Sequence, residues 1–161
     1  MKAFVRDSNL KDAIDMAHNV RSADCNEIKA LRGSNYDMVE VLKDGIEMSD
    51  CPKTVEFNKE PIAIFGIVQS QDIDIKLGWV WLLGTNKIKD IKIQFLRESK
   101  KHLQEQEQDY DVIANYVDVR NEVHIKWLRW LGFNFIRKIE SHGAEQRPFY
   151  EFARINQCAT L

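Results

Sequence analysis

The sequence predicts a single α/β domain: one central mixed β-sheet with helices on both of its faces. Three observations lead there. Segments of strand-like alternation or continuous apolar character interleave with segments of helical spacing along all 161 residues. The runs IAIFGIV (62–68) and WVWLLG (79–84) are apolar on consecutive positions, which suits strands covered on both faces. No repeat, low-complexity tract or Pro/Gly-rich linker divides the chain, so one domain is read over 1–161.

The elements follow in order. KAFVR is a short strand, and DSN after it a turn or helix cap. Leu10, Ile14, Ala17 and Val20 keep helical spacing. Ser22 or Asp24 caps a second helix carrying Cys25, Ile28 and Leu31, which Gly33 stops. Met38, Val41, Leu42 and Ile46 mark a third helix that ends near Ser49. TVEFN alternates as a strand, Glu60–Pro61 makes a turn, and IAIFGIV is a central strand. The polar QSQDIDIKL leads to WVWLLG, with Thr85 and Asn86 as caps behind it. Ile88, Ile91, Phe95, Ser99 and Leu103 trace one face of a helix that fades into EQEQD. DVIANYVD is a strand and Asn121–Leu131 a helix. FNFIRKI and PFYEFARI form a hairpin joined by ESHGAEQR.

Composition excludes several functions. Twenty-three basic residues against 25 acidic ones give no general field for nucleic acid, leaving only a local patch. The longest apolar run, GWVWLLG, is far too short to span a bilayer, so no membrane role is expected. The first twenty residues acquire charges too early for a signal peptide. Cys25, Cys51 and Cys158 show no CxxC spacing and read as reduced thiols in a reducing compartment. His18, His102, His124 and His142 form neither HxH nor HExxH, so no metal is expected.

The element order, and Asn121 followed by an apolar helix ending in Gly132–Phe133, resemble the GNAT fold of N-acetyltransferases. NVRSADCNEIKAL, PIAIFGIV, WLLGT, NYVDVRN, HIKWLRWLGF and PFYEF, in that order, are similar to a phage branch of this superfamily. That branch is the one of the small internal virion protein A of short-tailed phages, and the likeness covers nearly the whole chain. The resemblance implies acetyl-CoA as cofactor, with its pantetheine on the exposed backbone of WVWLLG where DVIANYV splays away. Its pyrophosphate would sit at the N-terminus of the next helix, where unpaired amides and the dipole favour an anion. Cofactor-binding roles thereby fall to Leu82, Leu83, Thr85, Asn86, Lys87 and Asn121.

Two departures from the family pattern bear on chemistry. The usual Gly-rich loop, Arg or Gln, two residues, Gly, one residue, Gly or Ala, is here LLGTNKIKD, with Gly84 as its one glycine. Lys87, Lys89 and Lys92 add positive charge; phosphate contact and a capped helix with a solvated lysine face both remain open. Many members place a proton-donating tyrosine four residues before the glycine of Gly-Phe; here that position is Leu128. Tyr116 or Tyr150 would have to substitute. Glu27, Glu56 and Glu60 are able to serve as bases, against solvated or capping roles for each, so Glu27 and Tyr116 stand as catalytic candidates.

Arg21, Asp24 and Glu27 cluster at helical spacing. By resemblance they border the acceptor side of the cleft and contact substrate or partner; the alternative is a surface ion-pair set. His124 reads as a surface or half-buried helix residue, or one that faces the cofactor. Of Trp127 and Trp130, one is expected to remain exposed.

Two functions are therefore expected. The first is a diverged acetyltransferase-like phage protein acting in virion structure, assembly or host interaction through contacts with phage or host proteins, in the host cytoplasm or the virion. The second is an acetyl-CoA-dependent N-acyltransferase that modifies a protein or a small amine. Nucleic-acid binding ranks third, because residues 87–101 are basic while the net charge is -2.

Overall fold

The computed structural model describes residues 2–71 and 74–156. Strand β1 (Phe4–Asp7) is followed by helices α1 (Leu10–Met16), α2 (Ser22–Arg32) and α3 (Met38–Met48). Three strands follow, β2 (Lys53–Phe57), β3 (Glu60–Gln69) and β4 (Leu77–Gly84). Then come α4 (Lys92–Gln106), β5 (Val112–Asp118), α5 (Glu122–Trp130), β6 (Asn134–His142) and β7 (Arg147–Ile155). Short 3-10 turns at Ala17–Asn19, Asn86–Ile91 and Glu107–Asp109 connect some of them.

Local chemistry sets the boundaries. Asn9 and Asp12 form a reciprocal capping box at the start of α1. Asp12 also receives both guanidinium arms of Arg6 and the hydroxyl of Thr54, so one carboxylate ties β1, α1 and β2 together. Burial raises its pKa, but these hydrogen bonds outweigh burial and hold it below the ordinary carboxylate value. Asn58 and Lys59, both at positive φ, make the tight β2–β3 turn.

All seven strands join one sheet in the order β1-β2-β3-β4-β5-β7-β6. Every pair is antiparallel except β4–β5, which is parallel. Helices α4 and α5 cover one face over Phe65, Ile67, Val80 and Leu82. Helices α1 to α3 cover the other over Ile64 and Leu83. The alternation of β3 and β4 thus feeds two cores, which explains their continuous apolar runs.

Four expectations are corrected. The β6–β7 connection is shorter than ESHGAEQR, because only 143–146 turn and the ladder continues to His142 and Arg147. Gly143, at φ 75°, lets this turn dock on the end of α2; a Cβ there would stand 2.5 Å from Ala30 O. The turn before β3 is at 58–59, so Glu60 and Pro61 already belong to the strand. Ile88 and Ile91 lie in a 3-10 turn ahead of α4. Finally, α1 buries Ala13 and Met16 while Ile14 is 52% exposed, and Val20 leaves the helix to bridge Thr85. Cys158 lies outside the described residues.

Candidate functional site: the splay between β4 and β5

Among the described residues, β4 and β5 pair only at Leu77–Val112, Gly78–Ile113 and Trp79–Ala114. Beyond that point they diverge, and a cavity of about 300 Å³ opens between them. The amide of Thr85 bonds Ile62 O and the carbonyl of Leu77 receives Ser70 N, so the odd residues of β4 face β3. By alternation Val80, Leu82 and Gly84 turn their main-chain groups toward the splay.

Most of these groups are already engaged by the chain itself. Asn115 spans the gap, donating Nδ2 to Val80 O at 2.9 Å. Gly84 N donates to Asp24 Oδ2 at 3.0 Å, and Gly84 O accepts from Arg21 N at 2.9 Å. On the opposite strand, Asp118 N donates to Glu27 Oε1 at 2.8 Å. Asp24 and Glu27 lie three residues apart on α2, which puts both carboxylates on one face, each aimed at a different strand. Asn121, the N-cap of α5, turns inward and donates Nδ2 to Asp24 Oδ1 at 2.9 Å while its own Oδ1 accepts from His124 N. Arg21 completes the network with Nε and Nη2 on the two oxygens of Asp24, at 3.2 and 2.7 Å. Leu82 is left with no strand partner on this edge among the described residues.

Arg21, Asp24 and Glu27 are 6, 0 and 5% exposed, so they are not a surface ion-pair set. Asp24 is enclosed, Arg21 reaches toward the α4–α5 side, and Glu27 lines the cavity. Tyr116 lines the same cavity, its ring stacked on His142 with centroids 4.6 Å apart. The two catalytic candidates therefore share one cleft. His124 joins them there: it is 6% exposed, not on the surface, and its Nδ1 has no hydrogen-bond partner, with Glu27 Oε2 3.7 Å away. Asp118 is held below the ordinary carboxylate pKa: burial raises it, but the Arg120 hydrogen bonds and the nearby Arg147 outweigh burial. The bridging role of Asn115 escapes the sequence reading, where its one signal is an amide inside an apolar alternation.

The remaining candidates sit as follows. Leu82 and Leu83 point into opposite cores. Thr85 is buried and caps the 3-10 turn by accepting from Lys87 N at 3.3 Å. Asn86 is exposed, and Lys87 is paired with Glu60. Leu128 is fully buried, and Trp130 rather than Trp127 is the exposed indole. Glu56 pairs with Arg6. Tyr150 packs edge-on to Phe135 on the β6–β7 hairpin.

A pantetheine chain laid along β4 needs the edge groups of Gly84, and these are taken by Asp24 and Arg21. A pyrophosphate needs free amides after the strand, where Thr85 already satisfies Lys87 N and Ile88 N. Coenzyme A reaching as far as Gly84 would have to dismantle this network, and among the described residues the edge of Leu82 is the part left open. Among the described residues no three His, Cys, Asp or Glu could hold a metal, and no helix is long and apolar enough to cross a membrane.

Comparisons with known proteins bear on the fold. The family model described as "Bacteriophage T7, probable scaffold protein Gp13" matches residues 69–139, from the end of β3 into β6. Among solved structures, the chain is similar to an acetyltransferase of the GNAT family from Streptococcus pneumoniae, at 15% identity and TM-score 0.62 over 96% of this chain and 99% of that one. It is similar to AAC(6')-Ib in complex with ribostamycin and coenzyme A, at 14% identity and TM-score 0.69 over 98% and 95%. It is also similar to an N-acetyltransferase from Staphylococcus aureus Mu50, at 13% identity and TM-score 0.68 over 96% and 99%. No curated protein matches the sequence. At these identities the likeness shows the fold alone: among the described residues, a mixed seven-stranded sheet with five helices in the arrangement of the GNAT acetyltransferases.

Proposed function

We propose that this chain is a diverged GNAT-fold phage protein that works through contacts with phage or host proteins, in virion structure, assembly or host interaction. It acts in the infected cell or in the particle. One observation carries the reading: Gly84, whose edge groups a pantetheine would need, is bonded to Asp24 and Arg21 instead. The match of residues 69–139 to a phage scaffold family supports it. Leu128 agrees, since a buried aliphatic side chain exchanges no proton.

Calorimetry with acetyl-CoA tests the proposal. No saturable heat is expected with ligand at about 1 mM, a concentration that would reveal even weak binding. Micromolar affinity that is lost on Asn121→Ala would sink it.

The acyltransferase reading retains one supporting observation, the cavity that gathers Glu27, Tyr116 and the unpartnered Nδ1 of His124 beside the open edge of Leu82. Orientation by itself accelerates aminolysis of a thioester substantially, so a missing acid does not abolish it. Release of free coenzyme A in the presence of amines or phage and host proteins is its assay, and silence across that panel removes it.

A further inference from the structure

The sheet has two edges, and the chain treats them differently. At one end β1 is four residues long, and Gln94 of α4 holds its approach, donating Nε2 to Ala3 O at 2.6 Å and accepting from Ala3 N at 3.4 Å. The ion pairs Arg6–Glu56 and Lys53–Asp7 blunt the rest of it. At the other end β6 runs for nine residues without a proline, and among the described residues it ladders with β7 alone. An uncovered edge strand presents main-chain donors and acceptors to a second strand, and proteins that stay apart cover or blunt such edges.

The ladder fixes which groups of β6 face outward. Val119 N donates to Pro148 O while Asp118 N donates to Glu27, so Phe149 and Glu151 turn their main-chain groups away from β5 and toward β6. Their partners Ile139 and Arg137 are thereby engaged, and the amide and carbonyl of Lys138, between them, point to the open side. Ile136 has no residue opposite it on β7, because the register shifts between Phe135 and Arg137, and it is 57% exposed.

The order of side chains along β6 selects the second strand. Arg137 is already paired with Glu151 of β7. Lys138 and Glu140, of opposite sign and two residues apart, share one face, with Lys138 Nζ 3.8 Å from Glu140 Oε1. Two identical strands can pair antiparallel about a two-fold axis normal to the sheet. Centred on Ile139, that pairing sets Lys138 of each copy opposite Glu140 of the other and leaves the two Ile136 side chains at the ends of the paired stretch. Centred on Arg137, Lys138 or Glu140, it sets a charge opposite its own kind, which is destabilising. Centred on Ile136, it pairs no opposite charges.

We infer that β6 pairs with β6 of a second copy of this chain, antiparallel and centred on Ile139, so that two seven-stranded sheets join across a two-fold axis. The inference goes beyond the proposed function and stands apart from it, since it holds whether or not coenzyme A binds. One strand edge is a small protein interface, so dissociation in the micromolar range is expected. Pairing uses both β6 edges and leaves only the blunted β1 edges, so assembly stops at the dimer.

Sedimentation velocity on the full chain, from about 5 to about 500 µM, tests it. Reversible dimerisation is expected, weakened at least about tenfold by Lys138→Glu and by Glu140→Lys, each of which turns two opposite-charge pairs into two like-charge pairs. An equimolar mixture of these two variants is expected to dimerise as the parent does, because each then meets the opposite charge at both positions. Both positions are exposed, so the charge variants are expected to melt with the parent protein. Lys138→Pro removes an amide that the β7 ladder does not use and is expected to abolish the dimer. A chain that stays monomeric at the highest concentration overturns the inference and leaves the edge to a strand of a different protein. A dimer that ignores the charge variants, a mixture that stays monomeric, or growth beyond the dimer overturns it too. Calorimetry with acetyl-CoA decides the proposed function separately.

Discussion

Replacing Asp24 by Asn is expected to cost the fold about 3–5 kcal/mol. The change is nearly isosteric, so the loss comes from hydrogen-bond chemistry rather than volume. Oδ1 of Asp24 receives Arg21 Nη2 and Asn121 Nδ2; Oδ2 receives Arg21 Nε and Gly84 N. An amide offers one acceptor and one donor, so in either orientation two of these four donors face an NH2 group. Arg21, 6% exposed, is left with a buried uncompensated charge. That term dominates, and the mispaired donors add to it less than additively because they share one site.

For a domain of this size each kcal/mol lowers the melting temperature by about 2–4 °C, so a fall of about 6–20 °C is expected. Urea unfolding followed by tryptophan fluorescence measures it, with an unchanged slope showing that stability alone has moved. Arg21→Met combined with Asp24→Leu should recover part of the loss, since removing both partners of a buried pair is far cheaper than removing one. If Asp24→Asn instead melts at or above the parent temperature, the carboxylate is being held against stability. It would then be reserved for a ligand, and the closed-splay argument would be wrong.

Gly143→Ala should destabilise by about 2–3 kcal/mol, since the residue holds φ 75° and a Cβ would press on Ala30 O; a change below about 0.5 kcal/mol in urea unfolding would refute the docking of this turn. Acid should unfold the protein in a predictable window. Asp12 and Asp118 have folded pKa values below the unfolded 3.8, so their stabilisation is fully present above that value and is lost as pH falls through the folded ones. Thermal melts from pH 6 to pH 2 follow this, and Asp12→Asn should flatten the acid limb. Leu128→Tyr restores the residue of the family pattern but overpacks a fully buried site, so a loss of about 1–3 kcal/mol and no gain in coenzyme A release are expected.

The fold was legible in the sequence because its signals are local. Continuous apolar runs marked β3 and β4, alternation marked β2, and Gly132 ended α5 where a left-handed residue was needed. The site was less legible because its geometry depends on tertiary contact. Arg21, Asp24 and Glu27 read as a charged helix face, and Arg21 at the N-cap of α2 with Asp24 and Glu27 behind it gives no local hint that the face is buried. Only the splay of β4 from β5 supplies the unpaired amides that make burial favourable there. His124 misled for the same reason, since spacing places it on a turn of α5 but cannot say that the turn faces α2. The β6–β7 turn was read too long because polar residues at an edge strand look like loop until the ladder is seen.

A splayed pair of strands is a structural liability, since it leaves main-chain donors and acceptors without partners inside the molecule. A bound ligand can supply those partners, and so can the chain itself. Here α2 supplies them with two side chains, one for each strand, and with the main chain at Arg21. A diffusing molecule that used Gly84 would have to displace a tethered competitor whose effective concentration is about millimolar or higher. It would also strand the guanidinium of Arg21. The edge that remains open is at Leu82, bordered by Asn115, Tyr116 and His124. Any small molecule that does enter the splay is therefore expected to engage those residues and leave Gly84 untouched, so its affinity should survive changes at Thr85 and fail on Asn115→Leu.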